Sequence, residues 1–151
     1  MYTIEKDISW EMGHRLTHHE GKCFNLHGHS YRAVITLSAE KLDKNGMVVD
    51  FYHFKKVKDY IDKYWDHALM LNMEDPIVAV INTRKMFNVL KRNLKLCLVN
   101  EDPTAENIAR CLADVTRSLL DQEMGDHASV TSVTVYETAT SSATYVKEGF
   151  L

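Results

Sequence analysis

Alternating apolar and polar residues predict β-strands near both ends of the chain. In the segment 4–14 the even positions from residue 8 onward form an apolar row that ends in a histidine, which is typical of a strand with one buried face. The odd positions of the segment 27–38 form a similar row and predict a second strand. A short apolar run at 95–99 is a further candidate. The last strand is predicted over 130–138, with one face formed by Thr131, Val133, Val135 and Glu137.

Apolar residues at spacings of three and four predict helices in the middle of the chain. Asp50 can cap a first helix, whose apolar positions are Phe54, Val57, Ile61 and Tyr64. A second helix is predicted over about 76–92. A third begins near Pro103 or Thr104 and ends near Gly125. Its buried face is predicted to carry Ile108, Leu112, Val115 and Leu119.

The order of these elements is strands, then helices, then a strand. This order favours an α+β fold with an antiparallel β-sheet over alternating βαβ units. We find no internal repeat and no Pro-, Gly- or Ser-rich linker, and 151 residues is close to the commonest domain size. The sequence therefore predicts one domain over residues 1–151.

Composition and charge exclude several classes of function. The formal net charge is −3 and the Lys and Arg residues are scattered, which argues against a nucleic-acid-binding surface. No apolar run approaches the roughly 20 residues that span a bilayer, and charges interrupt the first ten residues, unlike a signal peptide. We expect no membrane partner and a cytoplasmic location. Cys23, Cys97 and Cys111 lie far apart and predict no disulfide framework.

Three histidines form a candidate metal site. His27 and His29 point the same way from the second strand, with Gly28 between them, and His14 ends the apolar row of the first strand. If these strands pair antiparallel, all three imidazoles come together. Three neutral imidazoles suit zinc and leave a fourth tetrahedral position open, as in catalytic sites. The alternative is a chance His-x-His pair with ordinary hydrogen-bond partners. The remaining histidines are interpreted as surface residues: His18, His19, His53 and His127.

Four other residues could carry chemistry near such a metal. Cys23 precedes His27 by four residues in a polar loop, where a thiol near a cation loses its proton readily and can act as a base; a small apolar filler is the alternative. The pair Asp66-His67 can shuttle protons, or it can be an ordinary loop pair. Glu137 continues an inward row, so it needs either a ligand with adjacent N–H donors, such as a pterin edge, or a basic side chain.

At these residues the chain resembles the 6-pyruvoyl-tetrahydropterin synthase superfamily. The similarity is greatest to the 6-carboxytetrahydropterin synthase branch, which functions in queuosine and 7-deazaguanine biosynthesis. The resemblance covers most of 7–72 and 103–145. The matching blocks are Gly13-His14-Arg15-Leu16, Cys23-x3-His27-Gly28-His29, Gly46-Met47-Val48-Val49-Asp50-Phe51, Asp66-His67-Ala68, Leu71-Asn72, Pro103-Thr104-Ala105-Glu106-Asn107 and Glu137-Thr138.

The resemblance implies a tunnelling fold that assembles into trimers and hexamers, with active sites between subunits and helices packed on one face of each sheet. It implies that His14, His27 and His29 hold zinc. Cys23, Asp66 and His67 would manage protons, Glu137 would anchor the pterin, and Thr104 would help to bind it. The implied reaction converts 7,8-dihydroneopterin triphosphate to 6-carboxy-5,6,7,8-tetrahydropterin, acetaldehyde and triphosphate.

Two alternative functions remain open from the sequence. A pyruvoyl-forming synthase would have the same site, although its gap between the cysteine and His-Gly-His is typically longer than the three residues found here. A zinc- or pterin-binding module without turnover is the second alternative, but it would leave the combination of Cys23, Asp66, His67 and Glu137 unexplained. The segment 73–102 is longer than the corresponding segment of the shortest family members.

Overall fold

The structure, a computed structural model, describes residues 1–149 of the chain. Six strands run over Tyr2–His14 (β1), His27–Ala39 (β2), Ala68–Asn72 (β3), Leu96–Val99 (β4), Ala128–Thr138 (β5) and Ser141–Val146 (β6). Four α-helices run over Lys55–Tyr64 (α1), Pro76–Ile81 (α2), Arg84–Leu90 (α3) and Ala105–Met124 (α4). Short 3-10 turns lie at Lys22–Phe24 and Phe51–Phe54.

The strands form one sheet in the order β4-β3-β1-β2-β5-β6. The pairs β1–β2, β2–β5 and β5–β6 are antiparallel, whereas β3 runs parallel to both β1 and β4. The α+β class is confirmed, but the sheet is mixed and not antiparallel throughout. The sequence pattern missed β3 because this short buried run has no alternation, and it missed β6 because that strand begins with small polar residues.

One face of the sheet is buried and carries the core. The apolar row of β1, including Trp10, packs with Tyr31 of β2 and with the inward residues of β5. Helices α1 and α4 cover this face through residues such as Ile61 and Leu112, both without exposed surface. The opposite face carries polar pairs such as Arg32 with Asp7. Helices α1 and α4 therefore lie on one side of the sheet, as the family resemblance implies.

The predicted helices are present, with differences at their ends. Asp50 caps the 3-10 turn before α1 by accepting a hydrogen bond from the Tyr52 amide, while Tyr64 at the end of α1 is half exposed. The run predicted as one helix over 76–92 divides into α2 and α3, because the Thr83 hydroxyl accepts from the Met86 amide and starts a new helix. Within residues 1–149 no helix is long and apolar enough to cross a membrane.

Candidate metal centre and active site

The register of β1 and β2 brings the three histidines to one end of the sheet. His14 lies opposite His27, and Met12 lies opposite His29. All three side chains project from the buried face, and one ligand atom of each lies within 4.8 Å of the others. The antiparallel pairing inferred from the sequence is therefore observed, and the three residues are placed to hold a metal ion.

Gly28 allows the two strands to approach closely at this point. It pairs with Gly13 of β1, and a Cβ atom at position 28 would lie 3.0 Å from the carbonyl oxygen of Met12. Real side chains avoid such a short contact with backbone. The close approach at Gly28 is thus made by the neighbouring strand, and it brings His14 against His27.

Two backbone carbonyls fix the orientation of the imidazoles. Nδ1–H of His14 donates to the carbonyl oxygen of Pro103 at 2.8 Å, and Nδ1–H of His27 donates to that of Asn25 at 2.7 Å. Because a carbonyl only accepts, both rings carry a proton on Nδ1, and each ring in its neutral form has its lone pair on Nε2. Ordering of this kind is common for histidines that bind metals.

The spacing of the two free nitrogens fits a metal ion between them. Nε2 of His14 lies 3.1 Å from Nε2 of His27. Without a proton on either atom, two lone pairs would face each other and repel. Tetrahedral zinc with Zn–N bonds of ~2.0–2.1 Å requires neighbouring ligand nitrogens to be about 3.3 Å apart. The donor set and its spacing therefore suit a cation.

Burial keeps His14 neutral. Its side chain is almost fully enclosed, and this loss of hydration lowers its pKa to about 4, although the Pro103 carbonyl opposes the shift. The nearby His27 and His29 lower the pKa further. A neutral imidazole is the form that binds a metal, so at neutral pH His14 needs no deprotonation before it acts as a ligand.

Tyr31 links the histidines to Glu137. The Tyr31 hydroxyl lies 3.2 Å from Nδ1 of His14 and donates to Oε1 of Glu137 at 3.5 Å. Burial, and then the charge of Glu137, raise the pKa of Tyr31, which keeps its hydroxyl protonated as a donor. The same Glu137 oxygen lies 3.9 Å from Nε2 of His14. Glu137 is only partly buried, so its carboxylate, which lies at the border of the cluster, is accessible to a ligand.

Cys23 lies near the same end of the sheet. It occupies the 3-10 turn at Lys22–Phe24 in the loop between β1 and β2, and its carbonyl oxygen accepts from the Leu16 amide at 2.9 Å. Cys23 is partly buried, and it lies close enough to Tyr31 to contribute to the raised pKa of that residue, after burial and Glu137. The structure thus brings Cys23, Glu137 and the three histidines into one region.

Asp66 and His67 form a pair beside β1, and His67 lines a surface cleft together with His29. Oδ2 of Asp66 accepts from Nδ1–H of His67 at 2.7 Å, and its Oδ1 accepts from the Glu11 amide at 2.9 Å. Burial raises the pKa of Asp66, but these hydrogen bonds outweigh it and hold the pKa below the usual value. His67 is 76% exposed, and within residues 1–149 no hydrogen bond or ring contact joins it to the three histidines.

The backbone of His67 is strained. Its φ angle is 57°, in the left-handed region that non-glycine residues avoid. The amide of His67 donates to the Glu11 carbonyl at 2.6 Å, which holds the turn in place. Such strain persists only where the surroundings enforce it, and it is concentrated at functional positions. The ring is thus held in a fixed exposed position beside β1.

Thr104 acts as the cap of α4. Its hydroxyl accepts from the Asn107 amide at 3.3 Å, and it directly follows Pro103, whose carbonyl orients His14. Sequence reasoning did not find the parts played by the Pro103 carbonyl and Tyr31. The only signal for Pro103 was its position at the start of a predicted helix, and Tyr31 was visible only as a member of the inward row of β2.

The family model described as 6-pyruvoyl tetrahydropterin synthase matches residues 3–148. The chain belongs to this family. Curated relatives include proteins named 6-carboxy-5,6,7,8-tetrahydropterin synthase. That of Rickettsia typhi is 36% identical, covering 91% of this chain and 95% of the relative. That of Haemophilus influenzae is 34% identical, covering 96% of this chain and 99% of the relative. That of Aquifex aeolicus is 31% identical, covering 97% of this chain and 99% of the relative. The predictions of this family and of an enzyme are therefore confirmed.

Solved structures share the fold of this family member. An uncharacterised protein from Wolinella succinogenes superimposes with a TM-score of 0.82 at 24% identity, covering 97% of this chain and 98% of that protein. The 6-pyruvoyl tetrahydropterin synthase of Caenorhabditis elegans gives a TM-score of 0.66 at 24% identity, covering 97% and 96%. At this level of identity the likeness shows the fold alone.

Removal of one imidazole should abolish stable metal binding. We expect His27→Ala to lose stoichiometric zinc, because two remaining nitrogens cannot complete a three-ligand site. The measurement is metal content per chain by elemental analysis after gel filtration. His53→Ala serves as the control, because His53 lies in the turn before α1, where it contacts Glu123 at 3.8 Å, and is not a member of the histidine cluster. Full zinc occupancy in His27→Ala would refute the site.

Proposed function

We propose that this family member is a zinc-dependent 6-carboxytetrahydropterin synthase. Its substrate would be 7,8-dihydroneopterin triphosphate, and its products 6-carboxy-5,6,7,8-tetrahydropterin, acetaldehyde and triphosphate. The observation that carries the proposal is the cluster of three imidazoles, in which His14 and His27 are oriented through Nδ1 so that Nε2 can bind a metal, bordered by Glu137 and Cys23. The names of the relatives from Rickettsia typhi and Haemophilus influenzae support the choice of reaction.

His14, His27 and His29 would hold the zinc ion, leaving one position for substrate oxygen. A zinc ion bound there would stabilise negative charge that develops on the substrate side chain as protons move. His14 and His27 are already oriented by carbonyl acceptors, so their ligand atoms are preorganised. This preorganisation avoids the reorganisation that a mobile histidine would need on metal binding.

Glu137 would bind the pterin ring. Its carboxylate can accept two hydrogen bonds from the adjacent N–H groups of the pterin edge, in the bidentate arrangement typical of guanidine-like donors. Tyr31 donates to one of its oxygens and fixes the orientation of the carboxylate. Ring binding at Glu137 would direct the substrate side chain towards the histidine cluster, because Oε1 lies 3.9 Å from Nε2 of His14.

Cys23 and the Asp66-His67 pair would transfer protons. The Cys23 thiolate is the proposed base that removes a proton from the substrate side chain, and His67, oriented by Asp66, would return or accept protons. We infer that this His67 acts on the site of a neighbouring copy in a homo-oligomer. The support is the exposed position of its ring, held by Asp66, together with the absence of a hydrogen bond or ring contact to the histidine cluster among residues 1–149.

The reaction itself can be tested directly. We expect the zinc-loaded protein to convert 7,8-dihydroneopterin triphosphate to 6-carboxytetrahydropterin with release of acetaldehyde, both identified by mass spectrometry. A 6-pyruvoyl product without acetaldehyde would instead support the pyruvoyl-forming activity. If the protein binds zinc and pterin but yields no product, it is a binding module and the proposal fails.

The role of Cys23 has a matched control within the chain. We expect Cys23→Ala to keep its zinc but to lose about 10²-fold or more in kcat, since a general base typically contributes 10²–10⁴-fold. Cys111→Ala removes a thiol of α4, whose pKa is raised by burial, and should retain kcat. Steady-state kinetics and metal analysis give both readings. A Cys23→Ala variant with wild-type kcat would exclude the thiol as the base.

A mixing experiment tests whether sites are shared between copies. Cys23→Ala and His67→Ala should each be inactive as pure proteins. Joint dissociation and reassembly should restore part of the activity, because some sites would then combine an intact Cys23 with an intact His67 from a neighbouring copy. The control is each variant taken through the same procedure alone. No recovery in mixed oligomers, with assembly verified by light scattering, would place both residues in the site of one chain.

A further inference from the structure

Arg15 is held by a buried carboxylate directly after the first of the three histidines. Its Nε donates to Oδ2 of Asp75 at 2.6 Å, and its Nη2 donates to Oδ1 at 2.8 Å. The Asp75 side chain has no exposed surface and that of Arg15 is 12% exposed. This two-pronged geometry fixes the plane of the guanidinium, which a lysine ammonium could not reproduce.

Asp75 is itself rigidly placed. It caps α2, since Oδ1 also accepts from the Ile77 amide at 2.9 Å, and its own amide donates to the Asn72 carbonyl at 2.9 Å. Burial raises the pKa of Asp75, but the hydrogen bond from Arg15 and that from Ile77 outweigh it, so the pKa is lowered and the carboxylate stays ionised. Arg15 is therefore anchored to the junction of β3 and α2.

The other side of the guanidinium faces the loop that carries Cys23. The Arg15 guanidinium carbon lies 4.5 Å from the centre of the Phe24 ring, within the range of a cation–π contact. Phe24 follows Cys23 directly and is 46% exposed, so the hydrophobic core does not hold it. The stacking on Arg15 therefore gives this end of the loop a fixed support.

A second carboxylate holds the start of the same loop. Oδ2 of Asp102 accepts from the Thr17 amide at 2.7 Å, and Oδ1 accepts from the Asn72 side chain at 3.2 Å. Asp102 therefore fixes the residues next to Arg15. The turn with Cys23 has its own backbone hydrogen bonds, from Phe24 to Gly21 and from Asn25 to Lys22, and it is tied to the start of the loop by the Leu16 amide and by the Phe24 stack on Arg15. The two anchors act at different ends of the loop.

We propose that Arg15, clamped by Asp75, is a positioning residue that sets the Cys23 thiol relative to the histidine cluster by stacking on Phe24. The proposal deepens the proposed function, because it rests on Cys23 as the catalytic base. It assigns Arg15 no contact with substrate. Its effect should therefore appear in kcat, whereas a substrate-binding arginine would change KM.

The first test is Arg15→Lys, which keeps the positive charge but loses the fork and the planar stack. We expect kcat with 7,8-dihydroneopterin triphosphate to fall by about 10-fold or more, since small displacements of a catalytic group have effects of this size. KM and zinc content should stay at wild-type values. Alkylation of Cys23 by iodoacetamide, followed on its own peptide by mass spectrometry, should become several-fold faster as the loop loosens.

Two further variants complete the design. Phe24→Leu removes the ring but leaves the Arg15–Asp75 pair. Like Arg15→Lys, it should lower kcat and speed the alkylation of Cys23. Its effect on stability should be small because Phe24 is half exposed. Arg32→Lys is the matched control. Arg32 pairs with Asp7 at 2.6 Å and stacks 3.9 Å from the Tyr136 ring centre on the exposed sheet face, and its replacement should change neither measurement.

The outcomes separate this proposal from the proposed function. Wild-type kcat and wild-type Cys23 alkylation in both Arg15→Lys and Phe24→Leu would overturn the positioning role. A rise in KM alone, or a loss of zinc, would overturn it as well, because it would make Arg15 a substrate-binding or metal-assembly residue. If Arg15→Lys does not fold, kcat and Cys23 alkylation of the Phe24→Leu variant alone decide whether the positioning role holds. Should the wild-type protein lack turnover, the proposed function fails, while the alkylation rates still report on the position of Cys23.

Discussion

The candidate active site depends on the antiparallel register of β1 and β2. With His14 opposite His27, the three imidazoles lie on the buried face at one end of the sheet. A slip of one residue in either strand would turn its side chains to the other face and disperse the cluster. The close approach of the strands at Gly28 and Gly13 is part of this constraint, because a Cβ at position 28 would meet backbone.

The surroundings of His14 give the cluster its chemical properties. Burial excludes water from His14, which lowers the pKa of its imidazole and keeps it neutral. The loop before α4 supplies the Pro103 carbonyl that selects the tautomer with a free Nε2. Burial and hydrogen bonding thus act together: one suppresses protonation of the ring, and the other directs its lone pair towards a metal.

The residues proposed to transfer protons differ in how they are held. Cys23 lies in a loop turn that is held by its own backbone hydrogen bonds, by the hydrogen bond from Leu16 and by the contact of Phe24 with Arg15. His67 is fixed by Asp66 and by a strained backbone, yet it is exposed to solvent. This division is consistent with the proposed site, in which one chain would supply the metal ligands and the base while a neighbour would supply the proton shuttle.

Local patterns determined much of this protein. The alternation of apolar and polar residues in β1 and β2 predicted both strands and identified their inward faces, because side chains in a strand repeat every two residues. The candidate metal ligands lie on those faces. The parallel edge formed by β3 and β4, the linkage of Tyr31 to Glu137, the Pro103 contact and the Arg15–Asp75 clamp were decided by tertiary structure. These contacts join residues far apart in the chain and have no periodic signature. Their geometry exists only once the sheet and helices have packed.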